Sequence, residues 1–298
     1  MTRLLLLIIT FSIGGLAHAA EESPKFAIVT IYDGMAKYAE AAAENPMADR
    51  RALWRELVIN PYWSRCAEGG EYIDFAPPLA RAYTDIESLL KATSALQASS
   101  VQSLVRSALE KSGSLLPGAA TTACILAADS TWTYLRDMHG VGGFTAGAGK
   151  IWLTILPEGD WLDWVEYASA HEYHHSVWTA LHGKQNPIED MADYLVFEGR
   201  ADSFAHLIYP QKIAPWTSAL TQQQEQAAWE VLRRNLDSTS PEKMQSLMFG
   251  GEGVAKWAGY AIGFKVVQAF LDKHPSLSVN QWTAMEAGEL LKKSSYAP

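Results

Sequence analysis

Residues 168–175, Ala-Ser-Ala-His-Glu-Tyr-His-His, decide how the rest of this sequence is interpreted. They contain the pattern H-E-x-x-H, with His171, Glu172 and His175 at its fixed positions. On a helix, residues four apart leave the same face about one turn apart, so both imidazoles can reach one metal ion. Glu172 lies about 100° around the helix from His171, beside the metal position. That is where a general base for a zinc-activated water must stand.

A catalytic zinc site needs a third protein ligand, and Glu198 is the candidate that this sequence offers. Residues 187–210 are predicted to form a second helix, in which Glu198 belongs to a stripe of small and apolar residues. A carboxylate is costly to bury in such a stripe unless it is paired or coordinates a metal. Asp202 follows one turn later on the same face, where it can accept a hydrogen bond from a ligating histidine and fix its ring.

H-E-x-x-H followed by a Glu-x-x-x-Asp helix resembles the gluzincins, the thermolysin-like zinc metallopeptidases. The resemblance implies a complete site: the Zn²⁺ ligands His171, His175 and Glu198, the base Glu172 and the histidine-orienting Asp202. His-Glu-Tyr-His-His with Glu-Gly-x-Ala-Asp is also similar to a bacterial family of uncharacterised, predicted zinc-dependent proteases, as is Gly-Tyr-Ala-Ile-Gly at residues 259–263. Thermolysin usually has Asn before the ligand Glu, whereas this sequence has Phe197.

Other polar residues near the motif have competing interpretations. His174 points away from the face that carries His171 and His175, which favours a structural or surface role. Tyr260 is either a core tyrosine with a satisfied hydroxyl or, as the resemblance implies, an oxyanion donor opposite Glu172. His206 is a second choice for that role.

The first 19 residues predict a secretory signal peptide, because Arg3 precedes an apolar run from Leu4 to Leu16 and an Ala-x-Ala site ends at Ala19. The alternative is an N-terminal anchor that is not cleaved. Cleavage after Ala19 leaves no cysteine for lipid attachment and no second long apolar run. We therefore expect a periplasmic or secreted protein without a stable membrane anchor, whose residues 20–298 form one zincin-like catalytic domain.

The composition restricts the partners. Removing the leader takes away one basic and no acidic residue, so the formal net charge changes from −9 to −10. An acidic surface argues against nucleic acid and anionic membranes as partners, but it says little about a peptide substrate. A peptide or protein substrate is what the resemblance implies. The two cysteines, Cys66 and Cys124, lack the spacing of a zinc or redox motif. In an oxidising compartment they either pair or remain buried thiols.

The predicted fold is mainly α with a small β-sheet, an α+β zincin-like domain with the metal between two helices. Residues 24–118 are mostly helical in this prediction, after a short strand at 26–31, and the metal-site core covers 120–298. Further strands are predicted at 123–128 and 150–156, and the latter would pair with an extended substrate by resemblance. The glycine-rich residues 140–149 fit neither phosphate-binding motif and are interpreted as a flexible turn beside the site.

Two functions remain open at this point. The first is a secreted zinc-dependent peptidase with one Zn²⁺ per chain, in which Glu172 activates the attacking water. The second is a non-catalytic periplasmic zinc-binding or interaction module. The presence of Glu172 favours the enzyme, because metal storage does not need a base.

Overall fold

A computed structural model describes residues 26–73, 82–183, 188–251 and 253–298 of the chain. The predicted signal peptide lies outside these residues. The strands are β1 (Phe26–Thr30), β2 (Thr121–Ala127), β3 (Val141–Gly147) and β4 (Lys150–Ile155). The α-helices in the described ranges are α1 (Tyr32–Glu44), α2 (Arg50–Trp54), α3 (Trp63–Cys66), α4 (Ile86–Gln97), α5 (Val101–Leu115), α6 (Trp161–His182), α7 (Met191–Ile208), α8 (Gln222–Leu232), α9 (Pro241–Phe249), α10 (Ala258–Lys273), α11 (Val279–Thr283) and α12 (Ala287–Ser294).

The four strands form one mixed sheet in the order β1-β2-β4-β3. β1 and β4 both run parallel to β2, and β3 runs antiparallel to β4. β2 and β4 are almost wholly buried, which suits a sheet covered by helices. The mainly α protein with a small sheet is therefore confirmed.

The long helix α6 lies in the middle of the molecule. It packs on β3 and β4, and α5 and α7 lie against its other sides. Its segment from Ser169 to Thr179 is entirely buried, including all three histidines. Because this helix is buried on every side, its sequence does not separate into one apolar and one polar face. The pattern therefore indicates neither a surface helix nor a membrane-spanning helix. Among the residues described, no helix is both long enough and apolar enough to cross a membrane.

Glycines set how closely α7 and α10 approach each other. A Cβ on Gly199 of α7 would lie 2.2 Å from the carbonyl oxygen of Gly263 on α10. A Cβ on Gly263 would in turn lie 2.3 Å from the carbonyl oxygen of Leu195. Glycine at both positions therefore permits this close helix packing. The contact fixes α7, which carries Glu198, against α10, which carries Tyr260.

The glycine-rich segment 140–149 was interpreted incorrectly as a flexible turn. Residues Val141–Gly147 form β3, and only Ala148 and Gly149 make the turn into β4. The proposed substrate strand was also wrong, because β4 is paired on both sides, by β2 and β3. Among the described residues, the edge strand of the sheet beside α6 is β3.

The C-terminal tail forms two helices, α11 and α12. The carbonyl of Met285, between them, accepts a hydrogen bond from the guanidinium of Arg200. Arg200 is 1% exposed, so this carbonyl satisfies part of a buried cation. The backbone of Glu286 is extended, so one continuous helix cannot pass through this residue.

Cys66 at the end of α3 and Cys124 in β2 form a disulfide across 58 residues. This finding decides between the two alternatives that the sequence left open. Both cysteines are fully buried. The bridge ties the helical N-terminal part to the centre of the sheet.

Candidate metal centre

Three side chains from α6 and α7 meet at one point. The Nε2 atoms of His171 and His175 lie 2.9 Å apart. Oε2 of Glu198 lies 3.3 Å from Nε2 of His171 and 3.4 Å from Nε2 of His175. All three residues are buried. The structure therefore brings together the three residues that the sequence predicted as ligands.

The triangle of these three atoms fits a zinc ion. Ligand atoms that bind a tetrahedral Zn²⁺ at about 2.0–2.1 Å are separated from one another by about 3.3 Å. The observed separations of 2.9, 3.3 and 3.4 Å agree with that value. Two imidazoles and one carboxylate are also a donor set that catalytic zinc uses, with a fourth position left for water or substrate.

Asp202 lies behind His171. Its Oδ1 atom is 3.1 Å from Nδ1 of His171. The same carboxylate accepts hydrogen bonds from the indole of Trp216, at 3.0 Å to each oxygen, and from the hydroxyl of Tyr167 at 3.1 Å. Since Asp202 is wholly buried, these three donors stabilise its charge and leave one proton of His171 directed at it. With its Nδ1 proton directed at Asp202, the His171 ring would turn the lone pair of Nε2 toward a metal ion held between Glu198 and His175.

His175 is held differently. Its ring stacks on the ring of Phe197, with centroids 3.8 Å apart and planes inclined by 15°. Its Nδ1 atom is buried and has no hydrogen-bond partner among the described residues. Thermolysin-like sequences usually have an Asn at the position of Phe197. In this chain, ring packing rather than a hydrogen bond orients the second histidine.

Glu172 lies beside the triangle without being part of it. Its Oε2 atom accepts a hydrogen bond of 2.8 Å from the hydroxyl of Thr145 on β3. Its side chain also packs against the backbone of Gly143 on the same strand. β3 therefore fixes the carboxylate next to the three candidate ligands, which is the position that a base requires.

The pKa values of Glu172 and Glu198 are shifted in opposite directions. Burial raises the pKa of Glu172, and the nearby His175 and His171 only partly offset it. Burial acts on Glu198 too, but direct contact with His175 and His171 lowers the pKa of its carboxyl to about 2. Glu198 is thus kept as the anion that a metal ligand must be, while Glu172 is better able to hold a proton.

Tyr260 of α10 faces the same region. Burial, followed by the charge of Glu198 and the neighbouring Tyr194, raises its pKa well above the ordinary value, so the hydroxyl stays protonated. Asp202 and Glu172 are also close enough to contribute. The side chain of Tyr194 lies close to that of Tyr260. Tyr260 therefore keeps a proton to donate close to the cluster.

His174 and His206, the two other histidines weighed in the sequence analysis, lie outside the cluster. His174 is fully buried, stacks on Trp282 and lies 3.2 Å from the hydroxyl of Thr283. It contributes to the packing of α6 against α11. His206 is half-buried at the end of α7 and contacts Phe264 edge to face.

Several residues around the site were not predicted from the sequence: Gly143, Thr145, Tyr167, Tyr194 and Trp216. Tyr194 is one turn before Glu198 on the same helix, so helical spacing carried a signal for it. The others lie on different elements and carry no local pattern that marks them.

Comparison with known proteins places the chain in a family. The sequence model of the family described as "Predicted Zn-dependent protease (DUF2268)" matches residues 101–292, which include the whole metal centre. The chain belongs to this family. It is also 27% identical over 170 residues to "Uncharacterized protein YjfC" of Bacillus subtilis (strain 168), an alignment of 53% of this chain. The alignment covers 56% of that protein's length. No solved structure is significantly similar.

Proposed function

We propose that this protein is a secreted zinc-dependent peptidase of the gluzincin type. One observation carries the proposal: Nε2 of His171, Nε2 of His175 and Oε2 of Glu198 lie within 3.4 Å of one another beside a separate carboxylate, Glu172. Three ligands with an open position and an adjacent base are the composition of a hydrolytic zinc site. The family description supports zinc and proteolysis in general terms.

In this proposal, His171, His175 and Glu198 hold one zinc ion. When bound, the ion supplies a Lewis acid that polarises the scissile carbonyl and lowers the pKa of water. Glu172 takes the proton of the attacking water on its carboxylate and passes it to the leaving nitrogen. Thr145 holds Oε2 of Glu172, so Oε1 is the oxygen available for this transfer.

Tyr260 is the proposed donor to the oxygen that becomes negative during the reaction. Its raised pKa keeps the hydroxyl protonated, which a hydrogen-bond donor must be. Tyr194 lies beside Tyr260 and is the proposed positioning residue for that hydroxyl.

A peptide is proposed to bind along β3. The N–H of Leu156 donates to the carbonyl of Gly140, so the alternation of an antiparallel ladder directs Gly142 and Phe144 toward β4. The N–H and carbonyl of Gly143 then point away from the sheet, next to Glu172. A substrate backbone added to this edge would place a peptide bond beside the base.

The disulfide supports the proposed location. Structural disulfides persist in oxidising compartments and are rare in the cytosol of most organisms. Cys66 and Cys124 form such a bond in the interior. This agrees with export directed by residues 1–19.

The decisive experiment is Glu172→Gln. Gln has nearly the same shape and cannot accept the proton, so zinc content should be unchanged and peptide hydrolysis should fall by about 10²–10⁴-fold. Glu166→Gln is the matched control, because Glu166 is on the same helix but pairs with Lys111 at the surface. Zinc and rate should be measured on the same preparation, against a mixed peptide library.

The outcomes separate the two functions. A Glu172→Gln variant that keeps both zinc and rate refutes Glu172 as the base. A zinc-loaded wild type that hydrolyses no peptide, with no change on substitution, supports the non-catalytic zinc-binding module instead.

A further inference from the structure

Three aromatic side chains meet where α9 ends and α10 begins, and they are here called the aromatic wall: Phe249, Trp257 and Tyr260. The ring centroid of Phe249 lies 5.5 Å from that of Trp257 and 5.3 Å from that of Tyr260. The rings of Trp257 and Tyr260 are 5.5 Å apart. The three interplanar angles are 56°, 63° and 84°, so every pair is tilted or edge to face. Each ring therefore contacts both of the others, and together they form one apolar surface.

The aromatic wall adjoins the candidate metal centre at two points. The ring of Trp257 contacts that of Trp216 at 6.4 Å, and the indole N–H of Trp216 donates to the carboxylate of Asp202 at 3.0 Å. Tyr260 itself lies close enough to Glu198 to feel its charge. Trp257 thus lies between two residues that border the cluster, one ring away from it on either side.

The backbone of Trp257 is in the left-handed region, with φ of 63°. Bulky residues other than glycine rarely adopt this conformation, and such residues occur preferentially at ligand and active sites. The N–H of Trp257 donates to the carbonyl of Phe249 at 3.2 Å, and its carbonyl accepts from the N–H of Ala261 at 3.0 Å. Both are backbone bonds that glycine could make as well. The turn therefore does not require the indole, which is free to serve the surface that it forms.

The aromatic wall is open to solvent. Phe249 is 38% exposed, and Trp257 and Tyr260 are half-buried. An apolar surface left exposed beside a group of convergent polar residues is a typical place for the apolar part of a ligand.

The charges around the wall restrict what can bind there. Nζ of Lys256 lies 5.5 Å from the ring centroid of Trp257 and pairs with Asp137 at 2.6 Å. A basic side chain would be repelled by this ammonium group. An acidic side chain would lose its hydration against the rings, while Lys256 is already paired. A neutral aromatic ring, in contrast, can extend the tilted and edge-to-face packing of the three rings.

We propose that the aromatic wall binds an aromatic side chain of the substrate and that Trp257 determines this specificity. The inference rests on the proposed peptidase function and specifies its substrate class, peptides with Phe, Tyr or Trp near the cleaved bond. Tyr260 is the proposed donor to the scissile carbonyl oxygen, and the ring of Trp257 is 5.5 Å from it. Two residues of an extended peptide span about 6.6 Å, so the bound side chain belongs to a residue within two positions of the bond.

The test uses a ten-residue peptide with one central Phe and four copies that carry Leu, Ala, Lys or Asp at that position. The zinc-loaded full chain is incubated with each peptide and with a mixed peptide library, and mass spectrometry identifies the cleaved bonds. We expect cleavage within two residues of Phe, with kcat/KM at least about tenfold higher than for the Ala peptide, the lower end of what burial of a Phe side chain provides. The Lys and Asp peptides should be no better than the Ala peptide.

Trp257→Gly removes the indole at a backbone conformation that glycine adopts readily, so folding should be preserved. The ratio of kcat/KM between the Phe and Ala peptides should fall about tenfold in this variant. Trp257→Phe keeps a ring and should retain most of the preference, which a role in folding alone would not explain. Trp229→Ala is the matched control, because Trp229 is also half-buried but packs edge to face on Tyr296.

The outcomes are distinct. Cleavage of the library with equal kcat/KM for the Phe and Ala peptides overturns the inference but leaves the peptidase intact. A preference for Phe that survives Trp257→Gly, or that falls equally in Trp229→Ala, overturns the role of Trp257. Absence of any cleavage, in the peptides and in the library, overturns the proposed peptidase function and the inference with it.

Discussion

Gly143 lies directly against Glu172. A Cβ at Gly143 would be 2.3 Å from Oε1 and 2.4 Å from Cγ of that side chain. Both distances are shorter than any van der Waals contact, so the absence of a side chain on β3 creates the space for the proposed base. Oε1 is also the oxygen that Thr145 does not bind.

Gly143→Ala should therefore displace the Glu172 carboxylate without removing a metal ligand. A displacement of about 1 Å costs roughly 100-fold in rate, so hydrolysis should fall by that factor while zinc stays bound. Gly142→Ala is the control. Its Cβ would meet the end of the flexible Leu135 side chain at 2.7 Å, away from Glu172. Equal rates for the two variants would contradict the placement of the base.

Asp202→Asn should weaken zinc binding. The Asp202 carboxylate offers two accepting oxygens to His171, Tyr167 and Trp216, whereas Asn offers only one. The NH₂ group of Asn would face one of these donors. The expected loss is about 10–100-fold in zinc affinity, measured by competition with a chromogenic chelator. Tyr167→Phe removes one donor only and should have a smaller effect. Unchanged affinity in Asp202→Asn would mean that Asp202 does not support His171.

Phe197→Ala should also weaken zinc binding, because His175 loses the ring that fixes its plane. We expect a loss of about tenfold, at the lower end of the range for supporting residues. Phe197→Leu keeps an apolar contact and should lose less. The thermal stability of the zinc-free proteins serves as the control for folding. Affinity equal to wild type in both variants would show that stacking does not orient His175.

Replacing both Cys66 and Cys124 with Ala should lower the free energy of unfolding. A loop of 58 residues corresponds to about 4 kcal/mol in the chain-entropy treatment of a cross-link. Urea unfolding of zinc-free protein measures it, because bound metal would add its own stabilisation. A decrease of less than about 1 kcal/mol in the free energy of unfolding would contradict a main stabilising role for the disulfide.

Expression with residues 1–19 in a bacterial host should yield a mature protein that begins at Ala20. Intact mass and N-terminal sequencing of the periplasmic or culture fraction measure this directly. A membrane fraction that retains Met1 would instead support the uncleaved anchor.

The sequence predicts that the candidate ligands lie together because their geometry is local. His171 and His175 are one helical turn apart whatever surrounds them, and the same holds for Glu198 and Asp202. Glycine has low strand propensity, so the composition of residues 140–149 favoured a turn. Pairing with β4 and the space required by Glu172 override that preference at β3.

The supporting residues were unpredictable for a different reason. Trp216 reaches Asp202 across 14 positions and Thr145 reaches Glu172 across 27. No periodic pattern connects positions on separate elements. The disulfide was equally open, because only the packing of α3 on β2 brings Cys66 and Cys124 together.

A strand with a free edge beside an active site carries an aggregation hazard, since an edge that accepts a peptide also accepts the edge of another molecule. The composition and shape of β3 reduce this hazard. Three of its seven residues are glycine, and its ladder with β4 is irregular between Thr145 and Gly147. Both features disfavour long intermolecular ladders. The N–H of Tyr72 donates to the carbonyl of Ala146, which shortens the unpaired stretch of β3 further. In the part of the chain that the structure describes, β3 is thus an edge strand whose composition and shape disfavour fibril-like self-association.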